Sequence, residues 1–368
     1  MNQQLKTHYQ WLCSIPINLT AKMKLIEEAG GAGKVRDLEK DVWKGILTEK
    51  QAALFEEALR KDPGEEMKKL EASGISFVSV ADEEYPKKLR SIPEQPLGLY
   101  FRGTLPDENV PTVAIIGARI CSEYGRYMAR SLGKDLAAAG IQVISGMALG
   151  VDGIAQTGAI QTGGYSAAVT GNGVDVIYPP ENARLYENLV SSGGVISEYP
   201  VGTNPRPNLF PARNRIIAGL ADAVVVIEAR RKSGTLVTVD FAQKQGKSIF
   251  AVPGRITDRL SDGCNELIHK GIARAVLSTG GLVQQLIGPN DAEDGRNVEV
   301  TMEVTLRKAF PLKLTDDEYE ALKSDGTLGK RYDELYNQIM MTPNSGDVDV
   351  DYAAYDTDNG KELVEWAG

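Results

Sequence analysis

Arg213, Asn214 and Arg215 follow a stretch stiffened by Pro205, Pro207 and Pro211, and they lead straight into the apolar run Ile216-Ile217-Ala218-Gly219-Leu220. A strand-like run over 223–227 comes next, then a Ser233-Gly234-Thr235 turn of the kind that opens a helix. Cationic side chains beside the free N–H groups of a helix start make a site for phosphate rather than for a neutral ligand. Arg206, Arg213, Arg215, Arg230, Arg231 and Lys232 fall within 27 residues and flank one buried-type strand, so they should collect near one edge of the fold. Simple solvation suits Arg230 or Arg231. Arg213 and Arg215 adjoin Ile216 and Ile217, where a guanidinium needs a partner, either a carboxylate or a bound phosphate.

Glycine and small hydroxyl residues close each apolar run in this part of the chain. The first gives Gly117-Ala118-Arg119, the second Ser145-Gly146 and then Gly150-Val151-Asp152, the third Gly171-Asn172-Gly173, and the fifth Glu228 and then Ser233-Gly234-Thr235. Glycine at such points lets the backbone approach a ligand and aims N–H groups at it. One such loop is ordinary turn chemistry, whereas four on the same edge point to a phosphate site. Neither Gly-x-Gly-x-x-Gly nor a glycine run followed by Lys-Ser/Thr is present. Arg119 stands where a nicotinamide fold has its second glycine, and its guanidinium suits phosphate oxygens. An ion pair with Asp152 or Glu228 is the alternative for Arg119.

Catalytic material is thin. There is no Gly-x-Ser-x-Gly elbow, and the two histidines, His8 and His269, adjoin no nucleophile in sequence. Asp152, Asp175, Glu198, Glu228 and Asp240 could supply paired carboxylates; equally, Asp152 could cap a helix and Glu228 could hold Arg215.

Parallel strands must position these loops. Apolar, β-branched runs at 113–116, 142–144, 166–169, 195–196, 223–227 and 248–252 alternate with stretches of helical length such as 124–139 and 153–161. Short, fully apolar strands alternating with helices predict an α/β fold: an extended, Rossmann-type, doubly wound, mainly parallel sheet of about six core strands. Two lead-in strands are expected at 76–80 and 99–102. A small helical domain is expected over 1–65, where Thr48 and Gln51 form a capping box and Asp62-Pro63-Gly64 stops the helix. The Gly30-Gly31-Ala32-Gly33 turn reads as an interhelical turn, with a helix-hairpin-helix as the other reading. The domains expected are thus 1–65, an extended Rossmann-type unit over 66–287, and a tail over 288–368 that is partly helical at 315–341 and loose at 345–358.

The net charge of −9 argues against nucleic acid only until its placement is considered. Residues 291–368 hold 19 acidic and 8 basic side chains, which leaves the first 290 residues at +2. The body can therefore present a local basic face. No apolar run approaches twenty residues, so no membrane span is expected. Cys13, Cys121 and Cys264 are odd in number and widely spaced; together with a polar N-terminus they fit a reducing cytoplasm and neither a disulfide framework nor a zinc site.

The ordered set Gly117-Ala118-Arg119…Tyr124-Gly125, Ser145-Gly146-Met147-Ala148, Tyr178-Pro179, Ser197-Glu198-Tyr199-Pro200, Phe210-Pro211-Ala212-Arg213-Asn214-Arg215, Ser233-Gly234-Thr235, Val252-Pro253-Gly254 and Gly263-Cys264-Asn265-Glu266-Leu267 resembles the DNA-processing protein A (DprA/Smf) family across about 75 to 280. The resemblance implies a cytoplasmic, homodimeric, non-catalytic protein without a cofactor that binds single-stranded DNA. It further implies delivery of that DNA to the RecA recombinase in natural transformation. It assigns the DNA backbone to Arg119, and dimer or recombinase contacts to the helix bearing Leu267, Ile268 and His269. It gives the N-terminal helices a sterile-alpha-motif-like or helix-hairpin-helix character. Ala118 replaces the family's usual serine, Gln156 stands in place of a histidine, and the tail lacks a winged-helix pattern. The alternative is a nucleotide phosphoribohydrolase of the lysine-decarboxylase-like (LOG) group, although Arg231-Lys232-Ser233-Gly234-Thr235 lacks that group's Pro-Gly-Gly-x-Gly-Thr turn and the glutamate close behind it. A third option is a domain that senses a mononucleotide.

Overall fold

A computed structural model of the chain describes residues 3–287, together with the backbone of 352–356 and 361–366. It divides into two units, 1–291 and 292–368.

Five helices begin the first unit: α1 (Gln3–Ser14), α2 (Leu19–Ala29), α3 (Lys40–Ile46), α4 (Glu49–Leu59) and α5 (Pro63–Ala72). Gly30 closes α2 in the left-handed region at φ 68°, and the Thr48–Gln51 capping box starts α4. Asp62-Pro63-Gly64 not only ends α4 but starts α5, because Asp62 accepts from Glu65 N and Pro63 takes the first helical position. The helical region therefore runs past residue 65, where the sequence suggested a boundary.

The remaining elements are β1 (Ser76–Ser79), β2 (Gly98–Gly103), β3 (Thr112–Ile116), α6 (Glu123–Ala138), β4 (Gln142–Ser145), α7 (Val151–Gln161), β5 (Ser166–Val169), α8 (Ala183–Ser192), β6 (Gly194–Ser197), α9 (Leu209–Leu220), β7 (Ala223–Val226), α10 (Gly234–Lys244), β8 (Ser248–Ala251), α11 (Asp262–His269), β9 (Arg274–Ala275) and α12 (Thr279–Ile287). They build one nine-stranded sheet in the order β1-β2-β6-β5-β4-β3-β7-β8-β9. The pairs from β6 to β9 are parallel, while β1–β2 and β2–β6 are antiparallel. The expected α/β doubly wound sheet is thus present, and the two-residue β9 extends it.

Alternation along each strand sends side chains to both faces. Val113 and Ile115 pack with Leu132, Leu136 and Ala155 of α6 and α7, whereas Ala114 and Ile116 pack with Ile216, Ile217 and Val239 of α9 and α10. The N-terminal helices share a third cluster with the sheet, in which Trp11, Leu12 and Phe55 join Phe77, Tyr100 and Val195. From β3 the chain steps outward one way through β4, β5 and β6, then returns to the other side of β3 for β7 and β8. The order of strands therefore reverses between β3 and β7, and loops leaving their carboxyl ends part there to open a crevice.

In the second unit, β10 (Tyr352–Asp356) pairs antiparallel with β11 (Lys361–Trp366). Part of 345–358, expected to be loose, is therefore a strand, and the Asn359-Gly360 dipeptide between the two strands was its sequence signal. The helix expected over 315–341 lies outside the described residues.

Candidate nucleic-acid interface

A cleft of about 470 Å³ opens at the β3/β7 divide. Its floor is the loop after β3, where Gly117 and Ala118 lead to Arg119. Arg119 is exposed and has no carboxylate within ion-pair distance among the described residues, so neither Asp152 nor Glu228 neutralises it. Its guanidinium lies 5.8 Å above the Phe210 ring, and Phe210 in turn packs 5.5 Å from the Tyr178 ring. Glu228, at the end of β7, instead accepts from the Ser122 N–H and hydroxyl, and so ties the loop after β3 to the neighbouring strand.

Ser233 caps α10, accepting from Thr235 N at 3.2 Å, and the Thr235 hydroxyl donates to Gly117 O at 3.1 Å. Ser233, Gly234 and Thr235 thus set the start of α10 on the cleft wall beside the Arg119 loop. Ser233 itself accepts from the Thr235 and Leu236 N–H groups, so it is the positive end of the helix dipole that favours an anion there.

Arg213 and Asn214 line the opposite wall from α9, and the exposed Arg206 stands at its lip. Arg213 is 5% exposed; it donates to Val169 O, to Gly146 O at 3.3 Å and to Asn214 Oδ1 at 3.2 Å. Burial brings its pKa down to about 10, against the attraction of Asp152. Burial likewise pushes the Asp152 carboxyl above its ordinary value, although Arg213 and the Gly146 N–H hold it down. Arg213 therefore ties α9 to the ends of β4 and β5 more than it reaches into open space.

Arg215 does not share the cleft. It pairs with Glu198 through two contacts of 2.6 Å and donates to Glu94 O at 2.9 Å. The cause is helical geometry: at about 100° per residue, side chains two apart on α9 point to opposite sides. Phe210, Pro211 and Ala212, part of the proline-stiffened stretch before Arg213, already belong to α9, which begins at Leu209.

Several expected ligand-contacting residues support the cleft without lining it. Ser145 donates to Ile115 O at 2.5 Å, and a side chain on Gly146 would meet Arg213 at 2.6 Å. Gly150, at φ 78°, faces the carbonyls of Ala118 and Arg119. Gly171 leaves room for Phe210, and Gly173 donates to Thr203 O at 2.9 Å. Gln156 is fully buried, accepting from Met147 N at 3.1 Å and donating to Ala167 O at 2.9 Å, so it holds Met147 in its left-handed turn at φ 55°. Among the residues expected at an interface, Leu267 is buried in the core, Ile268 is half-buried and only His269 is exposed. Tyr178, Phe210 and Arg206 also line the cleft; Arg206 is one of the cations expected near this edge, and the aromatic–proline clustering around Phe210 is the sequence signal for the two rings.

The sequence model of a family described as DNA recombination-mediator protein A matches residues 76–287. Protein Smf of Synechocystis is 39% identical over 214 residues, which cover 57% of this chain and 54% of that protein. The DNA processing protein DprA of Streptococcus pneumoniae is 43% identical over 204 residues, covering 54% of this chain and 70% of the relative. The chain thus spans between about half and about two thirds of these relatives' length. The X-ray structure of DNA processing protein A from Streptococcus pneumoniae superposes with TM-score 0.66 at 33% identity, covering 76% of this chain and 98% of that one. A DNA processing protein A from Helicobacter pylori, solved to describe its single-stranded DNA binding mode, gives TM-score 0.52 at 32% identity over 58% and 95% of the respective chains.

Proposed function

The chain belongs to the DNA recombination-mediator protein A family, and from that membership and the cleft we propose that it binds single-stranded DNA. The observation that carries this reading is the unneutralised Arg119 over the Phe210 ring, beside the start of α10. A guanidinium and the positive end of a helix dipole suit backbone phosphates, and an aromatic face accepts any base, so the strand is held without being read.

The cleft lining holds one carboxylate, the buried Asp152, which is held by Arg213, the Ser145 hydroxyl and the Gly146 N–H. We read the protein as a non-catalytic carrier in the cytoplasm, handing the strand to RecA recombinase during natural transformation and acting as a homodimer through the α11 region. Among the described residues no helix is long and apolar enough to cross a membrane. The turn opening α10, Ser233-Gly234-Thr235, is followed by Leu236-Val237 with no nearby glutamate, which gives the phosphoribohydrolase alternative no support.

Fluorescence anisotropy with oligothymidylate tests the binding. Arg119→Ala should weaken it, and the slope of log affinity against log salt should flatten by about 0.7 for the lost phosphate contact. An unchanged slope and affinity in the folded variant removes Arg119 from the site. Stimulation of RecA filament formation on the bound strand, and sedimentation of a His269→Glu variant, test the partner and the dimer.

A further inference from the structure

Among the described residues, eight of the ten large apolar side chains that remain exposed lie in loops or the first two helical turns at the carboxyl edge of the sheet: Ile120, Tyr124, Tyr127, Leu149, Ile177, Tyr178, Val201 and Ile256. Scattered exposed apolar groups need no explanation, but a row along one edge does. Only Tyr178 belongs to the cleft. On the far side of Arg119, Ile120 is 87% exposed, Tyr127 69% and Ile256 92%. The Tyr124 hydroxyl donates to Pro253 O at 3.1 Å and so joins the start of α6 to the loop that carries Ile256. Arg255 and Arg259 of that loop are exposed and have no ion-pair partner among the described residues; Asp258 lies between them.

We propose that this shoulder, formed by Ile120, Tyr127, Ile256, Arg255 and Arg259, is a second subsite that carries the bases and phosphates of the same single strand after it leaves the Arg119 cleft. The inference rests on the single-strand reading of the cleft and extends it. Isolated apolar groups alternating with unpaired cations suit a chain of alternating bases and phosphates; a protein partner calls for a contiguous, charge-depleted centre. The shoulder also continues directly from Arg119 through Ile120. From β6 to β8 the parallel strands span about 24 Å at ~4.8 Å per strand. That length takes about 7 nucleotides at 3.4 Å each, and fewer when the strand is stretched.

Oligothymidylates of about 5 and about 16 nucleotides, the two ends of the range of known single-strand site sizes, discriminate the two subsites on the full-length protein. The triple variant Ile120→Ala/Tyr127→Ala/Ile256→Ala should lose about tenfold or more in affinity for the long probe, as expected for lost base stacking, and keep its affinity for the short one. Arg255→Ala/Arg259→Ala should reduce the long-probe salt slope by about 1.4 and leave the short-probe slope in place. Arg119→Ala should weaken both probes. If Arg119→Ala acts and the shoulder variants match the parent on the long probe, the second subsite is refuted while the cleft stands. If Arg119→Ala changes neither probe, the cleft reading has failed and the shoulder loses its premise. Unchanged DNA affinity with a shift in sedimentation of the triple variant would assign the shoulder to protein contact and overturn the proposal.

Discussion

Arg213 and Arg215 are chemically alike and two residues apart in sequence, yet one ties α9 to the ends of β4 and β5 and the other locks it to the end of β6. Arg215 and Glu198 have side chains 4% and 16% exposed, so removing either leaves a buried charge without its counterion. Arg215→Ala should therefore lower unfolding free energy by about 3–5 kcal/mol in urea titrations; a loss below about 1 kcal/mol, as for a surface pair, contradicts this assignment. Asp152 gives a pH signature instead. Its carboxyl is raised in the folded protein above 3.8, so the folded state holds that proton more tightly than the unfolded one. Stability from this group is therefore greatest below 3.8 and is lost as pH rises through the folded pKa. Asp152→Asn, which keeps an acceptor for Gly146 N, should gain on the parent across that window and then level off. Urea midpoints measured at several pH values read the difference directly, and a constant difference would show that Asp152 does not titrate as described.

At the scale of elements, the loops work because glycine lets them touch each other. Gly150 sits at φ 78° against the carbonyls of Ala118 and Arg119, so Gly150→Ala has both an unfavourable backbone and no space. Destabilisation of about 1–3 kcal/mol is expected, together with weaker DNA binding, because the displaced loop is the one that carries Arg119. Gly234→Ala is the contrasting case: nothing lies within 4 Å of the added methyl and φ is not positive, so stability should stay within about 1 kcal/mol of the parent. Thermal melts and anisotropy on both variants separate loop placement from general damage. The same loops show what the sequence could reveal. Six apolar runs matched β3 to β8 because a strand buried on both faces has to be apolar throughout. Helix α9 was not legible because Pro207 and Pro211 give the stretch before Arg213 no helical signal, whereas Pro211 sits in the first turn, where no intrahelical N–H bond is lost. Missing that helix also hid the opposite directions of Arg213 and Arg215. Gly146, Gly150, Gly171 and Gly173 were read as ligand contacts because close approach to a phosphate and close approach to another loop demand the same residue; only the fold tells which neighbour is present.

At the scale of the whole molecule, charge is segregated along the chain. Residues 292–368 hold 18 acidic and 8 basic side chains, so residues 1–291 alone carry +1 against −9 for the full chain. An approaching polyanion responds to that summed field before it meets any single arginine, and the field shapes association more than it shapes the bound complex. A shortened protein ending at the unit boundary after Asp291 should therefore associate with oligothymidylate faster than the full chain at low ionic strength. The advantage should fade as salt approaches about 0.15 M, where charges more than ~8 Å away are screened. Dissociation, which the proposed contacts at Arg119, Phe210 and the start of α10 would govern, should change little. Stopped-flow traces over a salt series distinguish the two rates. An association rate that does not rise on shortening, even at about 0.01 M salt where the Debye length reaches ~30 Å, would mean that the local field of the cleft alone sets capture, and that the acidic segment is electrostatically silent toward DNA.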